Sequence, residues 1–137
     1  MKLIDTNIIV YALGGAHVYR ESSREILDRV PRGELDATIN VEAIQELIHY
    51  YHARRPPSRA VTIVVDLMRT FPIPLGIDAS TVTLALNILD AHTHLQSRDA
   101  FHVATVFQHN LEGIISADRG FDNIPGLTRF DPKELVA

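Results

Sequence analysis

No cysteine occurs among the 137 residues, which excludes a disulfide framework, thiolate zinc sites and a cysteine nucleophile together. Lysine appears only twice, as Lys2 and Lys133, and aromatic residues reach only 7%, so no stacking platform for RNA bases stands out from pattern alone. Long apolar runs are missing as well. The stretch Ile8 to Leu13 is far short of the ~20 residues that a spanning helix needs, and no charged-then-apolar leader precedes it. These absences predict an unprocessed cytoplasmic chain with no membrane partner. A surplus of positive charge is lacking too: the formal net charge is −4, which argues against a surface that binds nucleic acid throughout.

What is present reads as one ordinary globular domain, residues 1–137, because 46% hydrophobic and 22% charged residues leave enough apolar material for a core. Short apolar runs alternate with longer segments of helical period, the signature of parallel strands joined by helices. The pattern predicts a first strand at Lys2 to Asp5 and a helix from near Asn7. A second helix is expected from about Ser22, where Ser22 and Glu25 have capping-box spacing, to about Val30. LDATI is read as a strand leading into a helix from Val41 to about Ala53, which ends before Pro56 and Pro57. Ser58 and Asp78 are expected to cap two further helices, and Ser97 a third, RDAFHVATVFQHN. FPIPLGI, with two prolines, is a loop or short edge segment. Gly113 to Ser116 reads as a buried strand, and a short strand around Leu127 to Phe130 closes the chain.

In such a sheet the helix N-termini gather at the strands' carboxyl edge, where these folds bind ligands. Asp5 ends the first strand and Asp118 follows a later one. Asp99 lies in the first turn after Ser97, beside Val103 and Val106 in the apolar stripe, whereas a first-turn acid usually points to water. Glu46 lies about a turn and a half into the helix after LDATI, and spacing does not separate it from Glu42. Asp5 taken singly reads equally well as a helix cap, and Asp118 as part of the turn DRG. Gathered carboxylates repel and call for a cation. Oxygen ligands without cysteine suit Mg²⁺ or Mn²⁺, ions that activate water and stabilise the leaving oxygen of a phosphodiester.

Four blocks, LIDTNIIVYAL, VEAIQELIHYY, SRDAFHVATV and IISADRGFDNIPGL, resemble the PIN domain family, specifically its VapC-type toxins, in order and spacing over nearly the whole chain. The resemblance implies a three-layer α/β/α sandwich with a central parallel sheet and a divalent-metal-dependent endoribonuclease site. It assigns Asp5, Glu46, Asp99 and Asp118 as catalytic, metal-holding acids. Asn7 and Ser116 match flanking polar residues, and Asp122 is an additional acid nearby. It also implies an RNA substrate, a homodimer and a small antitoxin that presents an arginine to the carboxylates. The alternative is a non-catalytic module of the same fold that binds RNA or a partner.

Other readings fare worse. A phosphoacceptor receiver domain would need a lysine near the acids, and a haloacid-dehalogenase-like phosphatase a second aspartate where Asn7 stands. No acid lies between Glu46 and Asp66, and HARRPPSR supplies Arg54, Arg55 and Arg59. That segment is a solvated loop in the ordinary reading and an RNA-backbone contact in the functional one. His92 and His94, two apart, are poor joint ligands. His102 could orient Asp99, although the ordinary reading is a histidine at the boundary of the core.

Overall fold

The computed structural model describes residues 1–137. Its centre is β1, Lys2–Ile4, which pairs in parallel with β2, Ala37–Thr38, on one side and β3, Ile114–Ile115, on the other. The fourth strand, β4, Arg129–Phe130, lies parallel beside β3, so the sheet order is β2-β1-β3-β4. Successive side chains of a strand point to opposite faces, and here they divide the interior in two. Leu3 and Ile114 enter one apolar cluster, and Ile4 and Ile115 enter the other.

Helices cover both clusters. Over the Leu3 face pack α5, Ala79–Ala91, and α6, Ser97–Gln108, with Ala85, Ile88, Ala100 and Val103 buried. Over the Ile4 face lie α1, Thr6–Leu13, α2, Arg20–Arg29, α3, Val41–His52, and α4, Arg59–Thr70, which contribute Ile8, Ile9, Ile26, Leu47 and Ala60. A short α7, Pro132–Leu135, follows β4. The result is the α/β/α sandwich expected from the sequence. The two-proline segment also behaves as expected: Leu75 alone bridges to Asn40 at the sheet's edge.

Asp78 caps α5 as expected, accepting the Thr81 amide at 3.0 Å while the Thr81 hydroxyl accepts the Asp78 amide at 3.1 Å. Other caps differ. Helix α2 begins at Arg20, and the Ser22 hydroxyl donates to the Tyr19 carbonyl at 3.1 Å instead of capping. Glu25 is drawn to Arg29 at 2.8 Å. Tyr19 sets the earlier start, because its ring stacks with Tyr11 and its hydroxyl holds Asp131. Ser58 precedes α4 without a side-chain cap. Strand β3 enters against β4 through Gly113, where a Cβ would stand 2.1 Å from the Thr128 carbonyl oxygen.

Candidate active site at the carboxyl edge of the sheet

Where β1 stops, Asp5 occupies the N-cap position of α1, yet its side chain caps nothing. Its carboxylate instead accepts the Ser116 hydroxyl at 2.6 Å from the end of the neighbouring strand, so the helix-cap reading of Asp5 does not hold. Backbone register brings the two together, the Asp5 amide bonding the Ile115 carbonyl at 3.0 Å. The Ser116 oxygen also accepts the Asp118 amide at 3.0 Å and the Asn7 side-chain amide at 3.3 Å. The other end of that amide, Asn7 Oδ1, is buried with no partner.

Glu46 projects from the side of α3 away from its buried Leu47 and Tyr51. Its Oε2 accepts the Thr6 hydroxyl at 2.5 Å and His102 Nε2 at 2.8 Å, while Oε1 faces Arg98 at 3.3 Å. These partners separate it from Glu42, which lines the same cavity and makes none of these bonds. Asp99 reaches back to the Gln96 amide at 3.1 Å, because Gln96, not Ser97, holds the N-cap of α6. Asp118 accepts the Gly120 amide at 2.8 Å, so its turn role is real and leaves it at the cavity wall.

Asp5, Glu46, Asp99 and Asp118 line one open cavity of about 680 Å³, together with Asn7 and Arg54. The structure does not bring in every expected residue. Asp122 is engaged by Arg129 at 2.5 Å and is absent from the cavity wall. Arg55 and Arg59 also lie off the wall, whereas Arg54 sits 3.3 Å above the Tyr50 ring at its margin.

His102 corrects the sequence reading most. It is fully buried, and it faces Glu46 and, at 3.6 Å, Asp5 rather than orienting Asp99. Arg98 was also missed. A signal for the first existed: His102 and Thr105 are two polar residues in a helix otherwise buried through Ala100, Val103, Ala104 and Val106, and buried polar groups need partners.

The charges are uneven. Burial, with the nearby Glu46 and Asp99 charges, pushes the Asp5 carboxyl above its ordinary value despite the Ser116 bond. Burial and Asp118 do the same to Asp99. Burial also opposes charge on Glu46, but bonds from His102 and Thr6 and the Arg98 charge outweigh it, holding that carboxyl low. For His102, burial disfavours the charged ring while the carboxylates pull its pKa upward, the net direction being up. The side-chain amide of Asn40, 3.1 Å from Nδ1, weighs against that direction. An imidazolium would set a donor against a donor there, so the neutral ring is assigned.

No three of these side chains are pre-set around one point as ligands. Mg²⁺ does not require that, since it commonly keeps several waters and binds through one or two carboxylates. The donor set is all oxygen, with acids disfavouring one another's charge and an unpartnered Asn7 Oδ1 beside them, and it fits such a hydrated hard cation.

The family model described as PIN domain matches residues 2–127. This chain belongs to the PIN domain family. Ribonuclease VapC13 of Mycobacterium tuberculosis is 31% identical over 135 residues, spanning 94% of this chain and 98% of that protein. The same fold occurs in the crystal structure of FitAcB from Neisseria gonorrhoeae, with TM-score 0.76 at 21% identity over 97% of this chain and 99% of that one. A toxin-antitoxin complex from Klebsiella pneumoniae matches with TM-score 0.71 at 21% identity, over 96% and 98%. In this PIN domain the acidic edge is assembled from β1, α3, α6 and the segment after β3. No helix is long and apolar enough to cross a membrane.

Proposed function

We propose that this PIN domain is a divalent-metal-dependent endoribonuclease, the toxin of a toxin-antitoxin pair. The observation that carries the reading is the convergence of Asp5, Glu46, Asp99 and Asp118, from four separate segments, on one solvent-open cavity. The relative named as a ribonuclease supports the substrate class. Asp5, Glu46, Asp99 and Asp118 are the residues that would hold Mg²⁺ or Mn²⁺. Bound there, such an ion supplies an activated water and charge stabilisation for phosphodiester hydrolysis.

The chain's own contributions follow from their bonds. Ser116 orients Asp5, and Thr6 with His102 orients Glu46. Asn7 offers Oδ1 as an acceptor for a water at the site. Arg54 gives the cavity margin a positive charge for RNA phosphates, and phosphate contacts position a nucleic acid without reading its sequence. Arg55 and Arg59 extend that charge away from the cavity as a backbone contact of lesser weight.

An antitoxin partner is supported by the likeness to a toxin-antitoxin complex. Exposed Val61, Val65 and Met68, spaced along one side of α4, provide apolar surface for an antitoxin or for a homodimer. Incubating the purified protein with looped single-stranded RNA tests the activity: internal cleavage is expected with Mn²⁺ and none with EDTA. Undiminished cleavage in EDTA overturns the metal dependence. Binding without cleavage in Mn²⁺ establishes the non-catalytic module instead.

A further inference from the structure

We propose that Asn40 acts through His102 as a positioning device that commits one oxygen of Glu46 to the protein and leaves the other for the cavity; the consequence for metal binding rests on the nuclease reading above. The inference follows the direction of each hydrogen bond. At the start of α3, Asn40 Oδ1 accepts the Ala43 amide at 3.0 Å. A backbone amide can only donate, so this bond decides which end of the Asn40 amide is oxygen. The nitrogen end therefore faces α6. It donates to Thr105 Oγ1 at 2.9 Å, and the Thr105 hydroxyl hydrogen is itself directed to the Phe101 carbonyl at 2.8 Å. The second Nδ2 hydrogen points at His102 Nδ1, 3.1 Å away.

Nδ1 must then be the accepting nitrogen, which places the ring hydrogen on Nε2. From there it is donated to Glu46 Oε2 at 2.8 Å. Thr6 donates to the same oxygen. With two donors Oε2 is occupied, and Oε1 is left facing the exposed Arg98 guanidinium and the cavity. Asn40, His102 and Thr105 are each fully buried. Bulk solvent reaches none of the three, and an unmet donor or acceptor there carries the full desolvation cost. A helix cap thus sets the tautomer of a histidine, and the histidine aims a carboxylate. Asn40 and His102 are positioning residues.

The ring nitrogens of metal-free protein, observed by ¹⁵N NMR at neutral pH, give the first test. An unprotonated Nδ1 and a protonated Nε2 are expected for His102, and a protonated Nδ1 overturns the proposal. Mn²⁺ affinity, measured by calorimetry or electron paramagnetic resonance on the intact chain, gives the second. Asn40→Asp keeps an acceptor for the Ala43 amide but sets an acceptor opposite Nδ1. It is expected to place a hydrogen on Nδ1, so that the ring either withholds the Nε2 hydrogen from Glu46 or carries a positive charge beside it, and to weaken Mn²⁺ binding about 10-fold or more, the usual scale for a disturbed outer partner of a ligand.

If that buried charge prevents folding, His102→Ala and His102→Gln replace it. The first is expected to lose the same affinity and the second, whose amide can donate to Glu46, to regain part. Equal Mn²⁺ affinity in the wild type and every folded variant overturns the positioning role. A wild type that neither binds Mn²⁺ nor cleaves RNA refutes the nuclease reading, while the tautomer of His102 still decides the relay.

Discussion

The two ends of β1 carry acids under opposite conditions, with only a three-residue strand between them. At the start of the strand, Glu112 meets the chain's amino group at 2.8 Å and Lys2 at 3.2 Å, and Asp36 meets the same amino group at 3.2 Å. The bond from the amino group, with that from Lys2, holds the Glu112 carboxyl below its ordinary value. At the far end, Asp5, Glu46, Asp99 and Asp118 share a single arginine ion pair, Arg98 to Glu46, and Asp5 and Asp99 are displaced upward. Paired acids at a surface settle their own charge, whereas an unmatched and partly buried group of them favours an added cation.

The largest effect is expected from breaking the unmatched end. Asp5→Asn should reduce RNA cleavage about 100-fold or more, as loss of a directly acting group commonly does. The same variant should melt higher than wild type in EDTA. The sign follows from the upward shift: above the ordinary value of 3.8 the unfolded chain has released the Asp5 proton while the native state retains it. Stability of the metal-free protein therefore falls as pH rises from about 4 toward the native value. Asn cannot titrate, so melts in EDTA at stepped pH should show a flatter decline. A steeper one, or a lower melting temperature, contradicts the unmatched-charge account.

A smaller effect should come from removing the arginine that the acidic edge does possess. Arg98→Ala frees Glu46 Oε1 of its exposed partner, and Mn²⁺ affinity is expected to rise about 3-fold, the scale of a solvent-screened ion pair. Weaker Mn²⁺ binding in calorimetry would show that Arg98 assists the site and is not a competitor there. The smallest effect belongs to the matched end. Glu112→Gln should shift the melting temperature by about 2 °C or less, shrinking further in high salt, and leave cleavage unchanged. A change in RNA cleavage from this variant would mean that the two ends of β1 are energetically coupled.

Sequence legibility differed between these regions for a physical reason. Strand ends and the Asp78 cap of α5 are local patterns, settled by residues within a few positions of one another, and the parallel alternation of strands and helices was readable from the same kind of signal. Arrival of the four acids at one edge followed from topology. The role of His102 did not, because its partners Asn40 and Glu46 stand 62 and 56 residues away, and no spacing rule on its own helix identifies them. Early entry into α2 was hidden likewise by the stacking of Tyr19 on Tyr11. Spacing left Glu42 and Glu46 equivalent, the resemblance chose the second, and the bonds from Thr6 and His102 are what set it apart in space.

The sheet order places β1, the first strand made, between partners that arrive at Ala37 and Ile114. Asp5 receives its hydrogen bond from a residue 111 positions later. During synthesis at roughly 5–20 residues per second, this separation delays completion of the acidic edge by roughly 5–20 s after Asp5 is made. Emergence from the ribosome comes later still for Ser116. The acidic edge is thus assembled only once Ser116 and Asp118 have been made, although Asp5 precedes them by more than a hundred residues.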